Sequence, residues 1–271
     1  YGTRYISHST SGRVLIVTST GDVESSSIVG ADGHSSKVAK SVPGSGPEEY
    51  LRGIQADVAV RMEHQDMFRV RLGSRYAPGF FTWEIPCGDF TRIGLCTSWS
   101  AGPPAPYLKR LLSDIGVEER IIGMHSGKIP LGNGGNTVAD CTALVGDAAC
   151  QVKPVSGGGL YPGLTAAGIL AETLLTSVCD GDFTKGALEK YENDCDKAFG
   201  SELRAGRRLR RMFTRMSDED LNAAGRYASR DDVRSILDGI DIDHPSRVVR
   251  GLVRHPAAML SAIPLIMRCI V

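Results

Sequence analysis

Net charge is missing from this chain: 31 Lys and Arg balance 31 Asp and Glu among 271 residues. No basic excess spreads over the surface, so a nucleic-acid partner is not expected. Cys-x-x-Cys is missing as well. The seven cysteines, at 87, 96, 141, 150, 179, 195 and 269, are odd in number and scattered. They read as reduced thiols of a cytoplasmic protein, with neither a disulfide frame nor a metal site. No uncharged apolar run reaches the length of a bilayer span, and no signal peptide precedes the first strand pattern. The fingerprint Gly-x-Gly-x-x-Gly is also absent. The nearest stretch, Gly132-Asn133-Gly134-Gly135-Asn136-Thr137, lies in a polar loop and ends in Thr. Since the chain starts at Tyr1 inside a strand pattern, its start reads as a cut or processed end.

With 42% hydrophobic residues the chain is globular and long enough for one large domain or two lobes. Its most informative stretch is Leu144-Val145-Gly146-Asp147-Ala148-Ala149, continuing through Pro154 to Gly157-Gly158-Gly159-Leu160. An apolar run ending in Gly-Asp reads as a buried strand that delivers a carboxylate at its end. Three glycines then open a helix running to about Cys179, with Pro162 in its first turn, where a missing N–H costs little. The glycine amides are left to face whatever lies beyond the helix end, and such an end favours negative charge. A plain strand-to-helix turn with Asp147 as a cap would use the same residues.

These residues resemble the second flavin-binding motif of the geranylgeranyl reductase family, FAD enzymes with the aromatic-hydroxylase fold. The resemblance implies that Asp147 binds the ribityl chain of FAD and that Gly157, Gly158, Gly159 and Leu160 approach the flavin ring. A carboxylate accepts from hydroxyls, and glycine lets backbone approach a flat ring. Residues 28–38 resemble the Asp-Gly motif of the same superfamily. There Asp32 would shape the floor of the cofactor site, and Ser36 with Lys37 would start a helix. A tight turn with an N-cap would use the same residues, but two motifs in the right order, about 110 residues apart, weigh against that reading.

Strand patterns cover 4–9, 13–19 and 22–29 as a meander, then 54–62, 67–72, 80–86 and 90–98 with no helix between them. The second group implies an antiparallel sheet. Phe81, Trp83 and Ile85 share one face of it, and Trp83 is expected to be buried. With Pro86 they resemble the family's Tyr/Phe-x-Trp-x-Phe-Pro-x-Gly motif, which implies that they line a pocket for an isoprenoid chain. Ile85 stands where the family usually has Phe, a departure that would widen the pocket. An ordinary core strand would show the same spacing.

A helix is expected at 104–115, ended by Gly116, and a strand at Ile121–Leu131. His125 has no acid or nucleophile at a relay spacing, and a surface role is expected. After Cys179 the pattern stays helical. Arg204, Arg207, Arg208, Arg211 and Arg215 lie opposite Leu209, Met212, Phe213 and Met216, a face suited to solvent, to anionic headgroups or to a substrate phosphate. Ser217 with Asp220 forms a capping box, and His255–Val271 is a final apolar helix.

The expected fold class is α+β, an FAD-dependent aromatic-hydroxylase-like fold lacking its N-terminal dinucleotide-binding unit. Residues 1–50 and 120–180 would form the remainder of the FAD domain, 51–119 an antiparallel substrate sheet, and 181–271 a C-terminal helical region. The resemblance implies saturation of C=C bonds in the geranylgeranyl chains of archaeal-type membrane lipid precursors. The partners would be an isoprenoid lipid, an electron donor (nicotinamide, ferredoxin or deazaflavin) and a membrane surface met peripherally. Cys87 and Tyr161, near the two motifs, are the candidate proton donors. Two alternatives stay open: a flavin monooxygenase of the same fold, and a flavin-free lipid-binding partner.

Overall fold

The computed structural model describes residues 2–132 and 135–237. In chain order the strands are β1 (Tyr5–Thr10), β2 (Val14–Thr18), β3 (Gly21–Ser25), β4 (Ile28–Gly30), β5 (Glu49–Val58), β6 (Arg69–Leu72), β7 (Phe81–Cys87), β8 (Phe90–Ser98), β9 (Ile121–Leu131), β10 (Val138–Ala139) and β11 (Thr142–Leu144). The α-helices are α1 (Ala105–Ile115), α2 (Leu160–Asp180), α3 (Lys185–Cys195), α4 (Ser201–Phe213), α5 (Asp218–Ala228) and α6 (Asp231–Leu237). The chain divides into two compact units, Tyr1–Glu49 with Pro130–Arg207, and Tyr50–Ile129 with the chain from Arg208. The expected 120–180 segment is thus shared between units, and residues 181–207 join the first.

In the first unit β11 is the middle strand of a small sheet, parallel to β4 and antiparallel to β10. All three β11 residues are buried, as a strand covered on both faces requires. Ala143 joins a cluster with Ala166, Leu170, Leu188, Tyr191 and Phe199 of the following helices, whereas Leu144 packs with Val38, Val42 and Ala149. Gly30 is needed for that second contact, because a Cβ there would sit 2.7 Å from Leu144 Cδ2.

The strand expected at 22–29 is two strands. β3 completes the β1–β2–β3 meander, the chain bends where Ser25 Oγ donates to Ser27 O at 2.8 Å, and β4 enters the parallel sheet. No α-helix follows Asp32; two 3-10 turns, Gly33–Ser35 and Val38–Ser41, take its place. Helix α2 begins at the expected glycines and ends at Gly181, which takes a left-handed φ of +67°. By length and composition α2 could cross a membrane, although Ala166, Leu170, Thr173 and Ser177 form a buried stripe along it.

The second unit is built on a five-stranded sheet in the order β6-β7-β8-β5-β9. Antiparallel register pairs Ile54 with Leu95 with Thr82, and Ala56 with Ile93 with Glu84, so these six share a face. Helix α1 covers that face with Leu108, Leu111 and Leu112, spaced for one side of a helix, and Gly116 ends it with φ +78°. The capping box of Ser217 and Asp220 starts α5 as expected. Asp218 beside it accepts from Ser74 N and Oγ at 2.8 and 2.7 Å. The expected helix at His255–Val271 lies outside the described residues.

Candidate functional site

Two surfaces carry the residues singled out above, one in each unit. In the first, β11 leads through Val145, whose amide donates to Gly30 O at 3.0 Å, to Gly146 at φ +68° and a 3-10 turn spanning Gly146–Ala149. A buried relay holds this turn. Gln151 Oε1 accepts from Gly146 N at 2.7 Å, Gln151 Nε2 donates to Tyr191 Oη at 2.7 Å, and Tyr191 Oη donates to Leu144 O at 2.8 Å. The strand end and the turn after it are therefore tied to α3. Sequence spacing placed Tyr191 in a core stripe and gave Gln151 no role, because partners 40 residues apart leave no local signature. Burial pushes the Tyr191 phenol well above its ordinary range, so it stays a neutral donor.

Asp147 projects from this turn, half-buried, with no hydrogen bond to its carboxylate among the described residues. Burial raises its pKa, and His34 opposes that shift. The turn containing His34 packs against the Asp147 turn, so the two motifs, distant in sequence, meet in one place. Gly159 closes the arrangement from the helix side, since a Cβ there would lie 3.1 Å from Asp147 Oδ1.

The three glycines do different work. Gly157 has φ +72°, and its amide donates to Lys153 O at 2.8 Å. The Gly158 amide reaches Ser156 Oγ at 3.4 Å. The expectation that all these amides face outward is corrected: those of Gly157 and Gly158 close the loop, while Gly159 caps α2 with no side-chain partner and Leu160 follows it exposed. Asp32 departs further. Its carboxylate accepts from Ser36 Oγ at 2.5 Å and from the amides of Lys37 and Val38 at 2.7 and 3.4 Å, so it organises its own turn. Tyr161 is exposed on the first turn of α2.

In the second unit Phe81, Trp83 and Ile85 do share one face of β7, but it is the open face. The expected burial of Trp83 is corrected. Thr82 and Glu84 are the buried residues of this strand, Glu84 paired with Arg69 at 3.2 Å and with Arg71. The half-buried indole of Trp83 lies across the neighbouring strand at Gly94, where a Cβ would come within 2.5 Å of the ring. Phe81 meets Trp83 edge to face at 6.3 Å. Gly53 and Gly94 thin the floor of this face, and Arg92, paired bidentately with Asp57 at 2.8 and 3.0 Å, borders it beside Ile85. Pro86 and Cys87 end β7, with Cys87 Sγ directed at Ile85 O, 3.7 Å away.

No protein-family model matches the chain. A digeranylgeranylglycerophospholipid reductase of Methanothrix thermoacetophila is 32% identical over 213 residues, covering 74% of this chain and 54% of the relative. The chain is related to these reductases. Digeranylgeranylglycerophospholipid reductase 2 of Methanopyrus kandleri is 26% identical over 250 residues, 85% of this chain and 63% of the relative. The chain thus spans about half to two thirds of the length of the reductases it matches. Among solved structures, a geranylgeranyl bacteriochlorophyll reductase-like protein of Thermoplasma acidophilum superposes with a TM-score of 0.75 at 16% identity, over 97% of this chain and 69% of that one. A probable FAD-dependent monooxygenase of Pseudomonas aeruginosa gives 0.58 at 19% identity, over 78% and 64%. The expected fold class, that of the FAD-dependent hydroxylases and reductases, is thereby borne out.

Proposed function

We propose that this chain contributes the flavin-ring half and the isoprenoid-binding face of an FAD-dependent reductase that saturates C=C bonds of geranylgeranyl chains in membrane lipid precursors, at the cytoplasmic side. One observation carries the reading: a half-buried carboxylate without a hydrogen-bond partner, Asp147, faces a helix start at which glycine leaves room for a flat group. Hydroxyls of a ribityl chain would satisfy that carboxylate, and the α2 end would favour partial negative charge on a reduced ring. The residues fit the ring and ribityl portion. Without a Gly-x-Gly-x-x-Gly segment in these 271 residues, nothing comparable fits the pyrophosphate.

A bound reduced flavin would supply hydride. Isolated alkenes are unpolarised, so this chain's part is to bind, orient and dry the reactants. Phe81, Trp83 and Ile85 would hold the prenyl chain by contact area, with Pro86 ending the face. Cys87 and Tyr161 are the candidates for delivering the second hydrogen as a proton. The donor that reduces the flavin, whether nicotinamide, ferredoxin or a deazaflavin, would be a separate partner.

The test is anaerobic incubation of the purified, chemically reduced flavoprotein with a digeranylgeranyl lipid, followed by mass spectrometry for stepwise addition of hydrogen. Asp147→Ala should weaken flavin binding by about 1–3 kcal/mol, the usual effect of removing a hydrogen bond to a charged group. Undiminished flavin affinity in that variant would remove the central residue from the proposal. Oxygen-dependent hydroxylation without alkene reduction would transfer the protein to the monooxygenases.

A further inference from the structure

The membrane-facing surface suggested by the sequence was the basic side of α4, but part of that charge is already engaged. Of its five arginines, Arg204 pairs with Asp196. A different surface in the second unit has cations without such partners. Arg52 stacks its guanidinium 3.7 Å over the ring of Trp99, and Lys128 Nζ lies 5.3 Å from the same ring and 5.8 Å from that of Tyr50. Neither cation forms an ion pair with a carboxylate among the described residues, and Arg52 Nε is buried without an acceptor. Two like charges thus sit on one aromatic platform, held by ring faces alone.

The platform continues into an apolar strip. Gly53 lies beside Gly127 and Asp57 beside Gly123, so β5 and β9 run antiparallel, and Arg52 and Lys128 emerge on the same side as α1. At period two, Ile122 and Met124 share the Lys128 face of β9. They lie beside the covered Ala56 and Val58 but are themselves 64% and 55% exposed, and Trp99 is 45% exposed. The six strand steps from Ile122 to Lys128 make the strip roughly 20 Å long. Glu118 and Glu119 lie before the strand, at the end away from Lys128. Exposed aliphatic side chains, a half-exposed indole and adjacent unpaired cations are what a bilayer interface selects, the first two for the acyl boundary and the last for anionic headgroups.

We propose that the β9 edge with Trp99, Arg52 and Lys128 is a docking surface for an anionic lipid bilayer. The inference is independent of the flavin reading, since it uses neither Asp147 nor the β7 face. The test is co-sedimentation of the full chain with phosphatidylcholine vesicles made with and without phosphatidylglycerol, while the combined emission of Trp83 and Trp99 is followed. Binding should require phosphatidylglycerol, weaken with added salt and shift the emission to the blue. Lys128→Glu should lower the partition coefficient at least about five-fold, the equivalent of the ~1 kcal/mol a basic residue gains near an anionic leaflet. Ile122→Ser with Met124→Ser should lower it too, whereas Arg13→Glu in the first unit should not. Circular dichroism of each variant separates loss of binding from loss of fold, and the exposed Lys128 substitution is the one expected to leave folding intact. Equal binding to both vesicle types, no binding to either, or indifference to Lys128→Glu would overturn the proposal. So would a concentration-dependent dimer abolished by the Ile122/Met124 double variant without vesicle binding, which would assign the strip to a second copy of the chain.

Discussion

Asp147 shows how burial can both disfavour and equip a single residue. Desolvation raises its pKa in the folded chain, so the folded state holds the proton more tightly than the unfolded state, whose reference lies near 3.8. A raised folded value means stability that is full below the unfolded pKa and falls as pH rises through the folded one. Asp147→Asn should therefore raise the melting temperature of flavin-free protein at pH 7, and the gain should vanish in acid below the unfolded pKa. Thermal melts across that range decide the matter; an equal gain at every pH would mean that charge is not the cause. The relay behind Asp147 makes a prediction of opposite sign. Tyr191→Phe removes a hydroxyl that both accepts from Gln151 and donates to Leu144 O, leaving two buried groups unsatisfied. About 1–3 kcal/mol of stability should be lost, measurable by urea unfolding. A neutral outcome would show that water replaces the hydroxyl.

At the scale of elements, β7 decides what the aromatic residues can do. Trp83 can lie over β8 only because residue 94 lacks a Cβ. Gly94→Ala should lift the indole off the sheet, cost about 1–3 kcal/mol as overpacking does, and shift Trp83 emission to the red. Unchanged melting and emission would mean that the indole does not rest there in solution. The same strand marks how far sequence reading reached. Period-two spacing identified the Phe81–Trp83–Ile85 face and the strands around it, and Gly116 marked the end of α1, because both signals are local. Which face α1 covers was not legible: the buried side carries Thr82 and Glu84, whose burial depends on Arg69 and Arg71 from the adjacent strand. The break at Ser25–Ser27 was hidden for a similar reason, since three serines between Val23 and Ile28 can also continue a strand and only pairing with β11 separates β4 from the meander. Asp32, expected to shape the floor of the cofactor site, accepts from Ser36 Oγ and the Lys37 amide, consequences of a turn that the sequence signals only as Asp-Gly.

On the scale of the first unit, two exposed features point the same way. In the small sheet β11 has neighbours on both sides, and among the described residues β4 and β10 are its edge strands. Along α2, Leu160, Leu164, Leu175 and Val178 form an exposed apolar stripe opposite the buried one. A free parallel-strand edge is a surface for another strand, and an exposed apolar helix stripe is a surface for another helix. In the flavoprotein fold that the chain resembles, a strand, a glycine-rich turn and a helix hold the pyrophosphate and adenosine of FAD, and no such glycine pattern occurs in these 271 residues. The chain alone should therefore gain little from the adenosine diphosphate half. Riboflavin and FAD should bind weakly and with similar affinity, since the charge-assisted hydrogen bonds that would separate them, each about 1.5–3 kcal/mol, have no donors here. Two such bonds correspond to a hundred-fold or more in dissociation constant. Fluorescence titration of the 271-residue chain with both ligands measures the ratio directly. A hundred-fold preference for FAD, or a structure of this chain alone with the adenine ordered, would show that these residues bind the whole cofactor and that the β4 edge and the α2 stripe await some other partner.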